Sequence, residues 1–134
     1  MSKEIDLSNC QLEKVDLSGK NLSKVNLSGA NLRFANLSSM DLSEANLSNA
    51  NLSNADLYVT ELINANLENT NLKNANLKST ELRGADLTNA NLERVKYGGA
   101  SFNEAKYNKH TKFPKRLKPE KKGMILIEDE EDKD

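Results

Sequence analysis

The chain has 134 residues, with 19 Lys and Arg against 20 Asp and Glu, one Cys and one His. It is short enough for a single domain, and its one cysteine, Cys10, excludes an intramolecular disulfide. It has no apolar run long enough to cross a bilayer and no apolar signal segment near Met1, so we expect a cytoplasmic protein that does not use a membrane.

Leucine recurs at every fifth position from Leu7 to Leu92, in eighteen consecutive pentads. Five residues advance about 140° around an α-helix, so these leucines would scatter around it and form no apolar stripe. On a flat strand, an odd spacing sends alternate leucines to opposite faces. A chain that turns a corner in every pentad places all of them in one interior column, which predicts a solenoid of stacked coils.

The other pentad positions support an inward-facing leucine. Two residues before it, the side chain is small or apolar in seventeen of eighteen pentads, which suits a narrow interior. Lys20 is the exception, and we expect its ammonium group to reach solvent at the open end of the first coil. The residue directly before the leucine is Asn or Asp in fifteen pentads, and the last position is often Asn, Gly or Ser, which favour turns.

Residues 45–49 and 50–54 both read Ala-Asn-Leu-Ser-Asn and resemble the repeat unit of the pentapeptide-repeat family. The resemblance covers residues 5–109, after a short lead-in at 1–4. It implies an all-β fold, a right-handed quadrilateral β-helix with four pentads in each coil and about five coils. Some members of the family protect DNA gyrase by imitating the charge and shape of DNA, so the resemblance adds that function as an alternative.

Four pentads to a coil would stack residues twenty apart, and one column would then carry the carboxylates of Asp41, Glu61 and Glu81. Like charges destabilise a ladder, and at about 4 Å two unit charges repel by about 1 kcal/mol in water. Either the two glutamates splay into solvent beside Arg83, or the column is a binding site. The opposite face carries a neutral column, predicted to form an amide hydrogen-bond ladder, of Gln11, Asn31, Asn51, Asn71 and Asn91.

Few apolar side chains face outward. Tyr58, Val59 and Ile63 project from the third coil, where we expect them to share one corner, and Phe34 projects elsewhere. On a surface otherwise made of Ser, Asn and charged residues, these four are the candidate contact site for a protein partner. The alternative, that they are isolated surface hydrophobic residues without a role, stays open.

A different kind of sequence follows the repeats. Residues 111–124 resemble the closing segment of many pentapeptide proteins from photosynthetic bacteria. Because a solenoid needs its ends covered, we predict a C-terminal cap over residues 110–127. The apolar residues expected to cover the last coil are Phe113, Leu117, Ile125 and Ile127.

The end of the chain bears on the oligomeric state. The segment from Met124 to Ile127 either completes the cap or pairs with a second copy, so we expect a monomer or a weak homodimer through the C-terminal end. Residues 128–134 are almost entirely acidic, and this composition predicts a disordered tail.

Catalysis fits this chain poorly. His110 is the only histidine, so neither a His-based triad with a second histidine nor a metal cluster with several histidines is available, and there is no glycine-rich phosphate loop. A core filled with leucine leaves no cavity for a substrate. We therefore expect no catalytic residue, no metal, no cofactor and no small-molecule substrate.

The sequence favours a non-catalytic structural or protein-interaction scaffold with an unidentified protein partner. The alternative is a DNA-mimic inhibitor or protector of a DNA topoisomerase such as gyrase, with Asp41, Glu61 and Glu81 as the mimicking carboxylates. Residues 5–109 carry eleven Lys and Arg against twelve Asp and Glu, and this balance argues against DNA mimicry and against nucleic-acid binding. An ice-binding solenoid would need a flat Thr-rich face, which the sequence does not supply.

Overall fold

The structure is a computed structural model that describes residues 4–128. Main-chain groups pair in parallel between residues twenty apart, from Asp6 with Asn26 through Asp86 with Lys106. Four pentads therefore make one coil, and five coils stack from 5–24 at the N-terminal end to 85–104. The predicted right-handed quadrilateral β-helix is confirmed.

Each corner of the coil is a tight turn. In a representative one, the Ala45 N–H donates to the Leu42 carbonyl at 3.0 Å, and Glu44 has a φ of 60°. The last residue of every pentad from Asn9 to Glu104 shares this positive φ. A four-residue turn with positive φ at its third residue matches type II, which Gly and Asn adopt most easily. This geometry explains why the last position so often holds Asn or Gly.

The interior is a continuous column of leucine. Every repeat leucine from Leu27 to Leu92 is fully buried. Buried threonines replace alanine beside this column without leaving a polar atom unpaired, since the Thr60 hydroxyl donates to the Leu37 carbonyl at 2.5 Å. Lys20, the exception among the inward positions, is exposed, as the sequence predicts.

The Asn or Asp before each leucine binds its own main chain. Asn46 Oδ1 accepts the Ser48 N–H at 3.0 Å and the Ser48 hydroxyl at 2.7 Å, and equivalent bonds recur along the rod. The predicted amide ladder is wrong beyond its first step. Within residues 4–128, that face has one amide bond along the stack, from Asn31 to Gln11 at 3.0 Å. Its other asparagine oxygens accept N–H groups two residues ahead instead.

The first coil is less well covered than the others. Ile5 is 49% exposed. The four leucines of this coil are half-buried, and they are Leu7, Leu12, Leu17 and Leu22. Among the residues that the structure describes, no further coil lies below them, so the described core is open at its N-terminal end.

The repeat ladder shifts by one residue near its C-terminal end. Asn91 pairs with Lys112, which is twenty-one residues ahead instead of twenty. The extra residue lies in the turn after Asn108, whose buried amide bonds to Asn89 at 2.9 Å. The ladder thus runs past the predicted boundary at 109, because the longer turn lets Thr111 resume the inward position and donate its hydroxyl to a core carbonyl at 2.8 Å.

The C-terminal cap folds back over the fifth coil. The strand β1, Lys106–Tyr107, pairs in parallel with β2, Ile125–Leu126, and a 3₁₀ helix, Pro119–Lys122, lies between them in sequence. The buried cap residues are Leu117 and Met124, and Phe113 is half-buried against the Tyr107 ring. The prediction that Ile125 and Ile127 cover the core with their side chains is wrong, because β2 adds to the ladder by its main chain and both side chains stay exposed.

Two further predictions meet the limits of the described residues. No helix in the described range 4–128 has the length and apolar character needed to cross a membrane. The predicted lead-in, 1–4, and the predicted disordered acidic tail, 128–134, fall outside the described residues except for Glu4 and Glu128.

Candidate protein-contact site

Tyr58 and Val59 form one corner of the third coil, here called the Tyr58–Val59 corner. The main chain holds this corner on both sides: the Ser39 N–H donates to the Tyr58 carbonyl at 2.9 Å, and the Val59 N–H donates to the Lys78 carbonyl at 3.1 Å. The Tyr58 N–H donates to Asp56 Oδ1 at 3.0 Å. The two side chains nevertheless remain 47% and 42% exposed. The corner is therefore a fixed apolar projection from a polar surface.

Val59 has an unfavourable backbone conformation. Its φ is 51°, in the left-handed region, although its side chain branches at Cβ. For a residue other than glycine this region costs about 1–2 kcal/mol, and β-branched residues adopt it rarely. Phe34, with a φ of 59°, has the same position in a turn of the second coil. All twenty last pentad positions from Asn9 to Glu104 adopt this conformation, and Val59 is the only β-branched residue among them, which makes it the position worth testing.

Ile63 and Phe34 lie on other corners. Ile63 is half-buried and begins the next turn along the chain, so the prediction that it shares a corner with Tyr58 and Val59 is wrong. The pentad spacing explains this, since three residues that form one side of the coil separate the two turns. Phe34 is exposed but already has a partner, because the Arg33 guanidinium lies 5.6 Å from its ring centroid and pairs with Glu13 at 3.4 Å.

The three predicted carboxylates stack as expected. Asp41 pairs with Glu61, and Glu61 pairs with Glu81, through the main chain. Asp41 and Glu81 turn their side-chain oxygens to local N–H groups, at 3.0 and 3.2 Å, and Arg83 contributes its N–H to Glu81. The Glu61 carboxylate is exposed and makes no hydrogen bond or ion pair with any of residues 4–128. It is therefore the one member of this column available to a partner.

Glu61 also links the apolar residues. It lies on the side of the coil that joins the Tyr58–Val59 corner to the turn that Ile63 begins. An acidic group thus stands between two apolar projections. The sequence identified these residues separately, but it did not show that Glu61 lacks a local bond. The sequence does contain one clue, a glutamate at a position where Asn or Asp predominates. The longer side chain of Glu61 does not accept the N–H two residues ahead, as Asn46 does from Ser48.

The chemistry of the described residues is limited. No group of three or more His, Cys, Asp or Glu within residues 4–128 is placed to hold a metal ion. The pKa of Asp6 is lowered mainly by a hydrogen bond from the Ser8 hydroxyl and also by one from the Ser8 N–H. The Ser18 hydroxyl and N–H lower the pKa of Asp16 in the same way. Both aspartates are exposed residues of the first coil, and their shifts follow from turn hydrogen bonds that recur along the rod.

Comparison with known proteins supports the repeat assignment. A family model for pentapeptide repeats matches in eight copies, and the matched ranges are residues 5–39, 26–62, 41–78 and 60–94. No protein of curated function matches the sequence at a significant level.

Solved structures share the architecture. The chain is similar to alr5209, a pentapeptide repeat protein from Nostoc PCC 7120, with 29% identity and a TM-score of 0.63 over 92% of this chain and 86% of that one. It is similar to Rfr23 from the cyanobacterium Cyanothece 51142, with 31% identity and a TM-score of 0.59 over 81% and 90% of the two chains. HetL, a pentapeptide repeat protein of Nostoc strain PCC 7120 involved in heterocyst differentiation regulation, is 28% identical with a TM-score of 0.65. That similarity covers 78% of this chain but 46% of HetL.

Proposed function

The chain belongs to the pentapeptide-repeat family, and from that premise we propose that it is a non-catalytic, cytoplasmic scaffold that binds a protein partner at the Tyr58–Val59 corner. The observation that carries the proposal is the exposed Val59 held at a φ of 51°. At this φ, a valine lowers the stability of the fold more than an asparagine would. Val59 also exposes apolar surface beside Tyr58. A contact with another protein gives both features a use.

The surroundings of the corner define the partner's chemistry. Tyr58 and Val59 supply apolar area, and aromatic residues are enriched where binding energy concentrates. Glu61 supplies an unpaired carboxylate on the adjoining side of the coil. The surface therefore suits a protein segment that presents an apolar side chain next to a Lys or Arg.

A matched substitution tests the proposal. The double change Tyr58→Ser and Val59→Ser copies the Ser38 and Ser39 turn of the coil below, so the fold should be kept. The measurement is the amount of each protein that the wild type captures specifically from native cell extract. We expect this amount to fall at least about tenfold with the double variant, because the variant removes the residues that supply most of the binding energy. Lys78→Ser, in the coil above, is the control and should retain capture. Equal capture by the wild type and the double variant would contradict the proposal.

Glu61→Gln refines the test. If the carboxylate meets a basic residue of the partner, this change should weaken binding to the partner identified above and reduce its dependence on salt. Unchanged affinity and salt dependence would remove Glu61 from the contact and leave the apolar corner as its whole extent.

The second candidate function is inhibition or protection of a DNA topoisomerase such as gyrase. The stacked carboxylates of Asp41, Glu61 and Glu81 favour it. The chain also shares its fold with QnrB1, a plasmid-mediated fluoroquinolone resistance protein, with 17% identity and a TM-score of 0.51, which is a likeness of fold alone. Against it, this acidic column is short, and the repeats balance eleven basic against twelve acidic residues.

A supercoiling assay separates the two candidates. We expect no inhibition or protection of gyrase at micromolar protein concentration, because a rod whose basic and acidic residues nearly cancel does not imitate the dense negative charge of DNA. Potent inhibition that disappears in the triple variant Asp41→Asn, Glu61→Gln, Glu81→Gln would favour mimicry over the scaffold proposal.

A further inference from the structure

A second surface lies at the C-terminal end of the rod, two coils from the Tyr58–Val59 corner. It is a shallow groove of about 350 Å³, lined by Arg94, Tyr97, Pro114, Lys115 and Arg116. An adjoining hollow of about 340 Å³ shares Arg94, Pro114 and Lys115 and extends to Phe113 and Glu93. The lining is thus partly aromatic and proline, here called the floor, and partly cationic, here called the rim.

The rim carries positive charge that the described residues do not neutralise. Residues 112–122 contain six Lys and Arg and one acid, Glu120. No carboxylate of residues 4–128 lies within ion-pairing distance of Arg94, Lys115 or Arg116. A further cation, Lys122, lies 5.8 Å from the centroid of the Tyr97 ring in the floor. Clustered cations around an apolar hollow attract an anionic segment.

The chain supplies such a segment close to the groove. The Ile127 N–H donates to the Tyr107 carbonyl at 2.7 Å, and the Tyr107 ring meets the Phe113 ring edge-on with centroids 5.5 Å apart. Phe113 lines the adjoining hollow, so Ile127, the residue directly after β2, lies one aromatic pair away from that hollow. The seven residues that follow, 128–134, contain six acids and one lysine.

We propose that residues 128–134 bind back across the cationic rim of this groove in the same molecule. Seven extended residues reach up to about 25 Å, several times the aromatic contact that separates their anchor from the hollow beside the groove. Tethering by so short a connection gives an effective concentration on the order of millimolar, so the tail would exclude weaker acidic ligands. Composition alone predicts disorder for these residues, whereas the charge of the neighbouring cap provides a docking site.

Binding of the tail in trans is the first test. The probe is a fluorescent peptide of residues 127–134, and the readout is anisotropy with the full chain and with a chain that ends at Ile127. We expect the shortened chain to bind the peptide and the full chain to bind it at least about tenfold more weakly, because its own tail occupies the groove. Equal binding by the two chains, or none by the shortened one, overturns the proposal.

Charge variants locate the site. In the shortened chain, Lys115→Glu with Arg116→Glu should abolish peptide binding, whereas Lys14→Glu with Lys24→Glu, at exposed corners of the first coil, should leave it unchanged. Loss in both variants would mean attraction to overall charge, and the proposed groove would be wrong.

The full chain provides a test that needs no added ligand. Replacing Glu128, Glu130 and Glu131 with Gln, and Asp129 and Asp132 with Asn, should shift the amide resonances of residues 93–97 and 112–117. Shifts confined to residues 126–134 would show that the tail does not contact the groove. A concentration-dependent dimer that is lost with the shortened chain would place the tail on a second copy and overturn the intramolecular form of the proposal.

Discussion

The two ends of the rod differ in how their outermost core residues are covered. At the C-terminal end, Leu117 and Met124 lie over the fifth coil and are 5% and 8% exposed. At the N-terminal end, Ile5 is about half exposed and the leucines of the first coil are half-buried. The five-residue spacing of leucine is the same in the first coil as in the middle coils. The difference therefore shows that the neighbouring coil buries a repeat leucine, and that a solenoid end needs a segment outside the repeat pattern to cover it.

Removing the cap should make the two ends alike and produce the largest effect. A chain that stops after Lys109 loses Phe113, Leu117 and Met124 and exposes apolar core together with an unpaired strand edge. We expect light scattering to show dimers or aggregates of this chain. A chain that stops after Ile127 keeps the cap and should remain monomeric. A stable monomer from the shorter chain would mean that residues 110–127 are not a cap.

Single leucine substitutions compare the middle of the rod with its open end. Leu47→Ala removes a fully buried side chain and should lower the free energy of unfolding by about 2–5 kcal/mol. Leu12→Ala, in the half-buried first coil, should cost about 1 kcal/mol because less area is lost from the core. Urea titration measures both, and Ser43→Ala, at an outward position, should stay within about 0.5 kcal/mol. Equal losses at the two leucines would contradict the comparison.

Removing the backbone strain at Val59, in the third coil, should stabilise the middle of the rod. It should not make the open first coil more stable. Val59→Asn places at this turn a residue that tolerates its positive φ, and we expect the free energy of unfolding to rise by about 1 kcal/mol. The reverse change at the next turn, Asn64→Val, should cost a similar amount, since Asn64 has a φ of 57°. Thermal unfolding of both variants measures this, and a Val59→Asn protein that is less stable than the wild type would show that Val59 contributes packing instead of strain.

The smallest expected effect concerns the first coil and pH. Hydrogen bonds from the hydroxyl and N–H of Ser18, at 2.6 and 3.0 Å, lower the pKa of Asp16. The stability contributed by this carboxylate is therefore present above its unfolded pKa of about 3.9 and is lost as pH falls through the lower folded value. Asp16→Asn keeps an oxygen acceptor, as Asn36 does for Ser38.

That variant should match the wild type in urea titrations at about pH 7 and lose less stability between about pH 5 and pH 2. If the variant lost as much free energy of unfolding at acid pH as the wild type does, the charge of Asp16 would not contribute to stability.

Much of the fold follows from spacing alone. The five-residue period of leucine predicts stacked coils with an inward leucine, and the exposure of Lys20 follows from its place in the first coil. The role of Asn was harder to predict, because an amide at a repeated surface position fits both a ladder along the stack and a local bond, and only the geometry of the turn favours the second. The extra residue after Asn108 left a signal, since Phe113 comes six residues after Tyr107 instead of five.

The contact site was less predictable than the fold. Tyr58 and Val59 stand out in the sequence because the surface around them is polar, but the separation of Ile63 onto another corner depends on where each turn closes. The strain at Val59 could have been predicted from the sequence, because every last pentad position adopts a positive φ and valine is unfavourable there. The basic groove could not have been predicted in this way, because Arg94 and Lys115 are distant in sequence and line one groove only when the cap folds back.

Hydrogen exchange of main-chain amides, resolved by coil, tests the comparison of the two ends most directly. The Leu12 N–H bonds to the Asn31 carbonyl at 2.8 Å in the open first coil, and the Leu92 N–H bonds to the Lys112 carbonyl at 2.7 Å beneath the cap. Although the two bonds are equally short, we predict that first-coil amides exchange fastest and that Leu92 approaches the slow exchange of Leu52 in the third coil. Equal exchange at Leu12 and Leu92, or faster exchange at Leu92, would contradict an open N-terminal end and a covered C-terminal one.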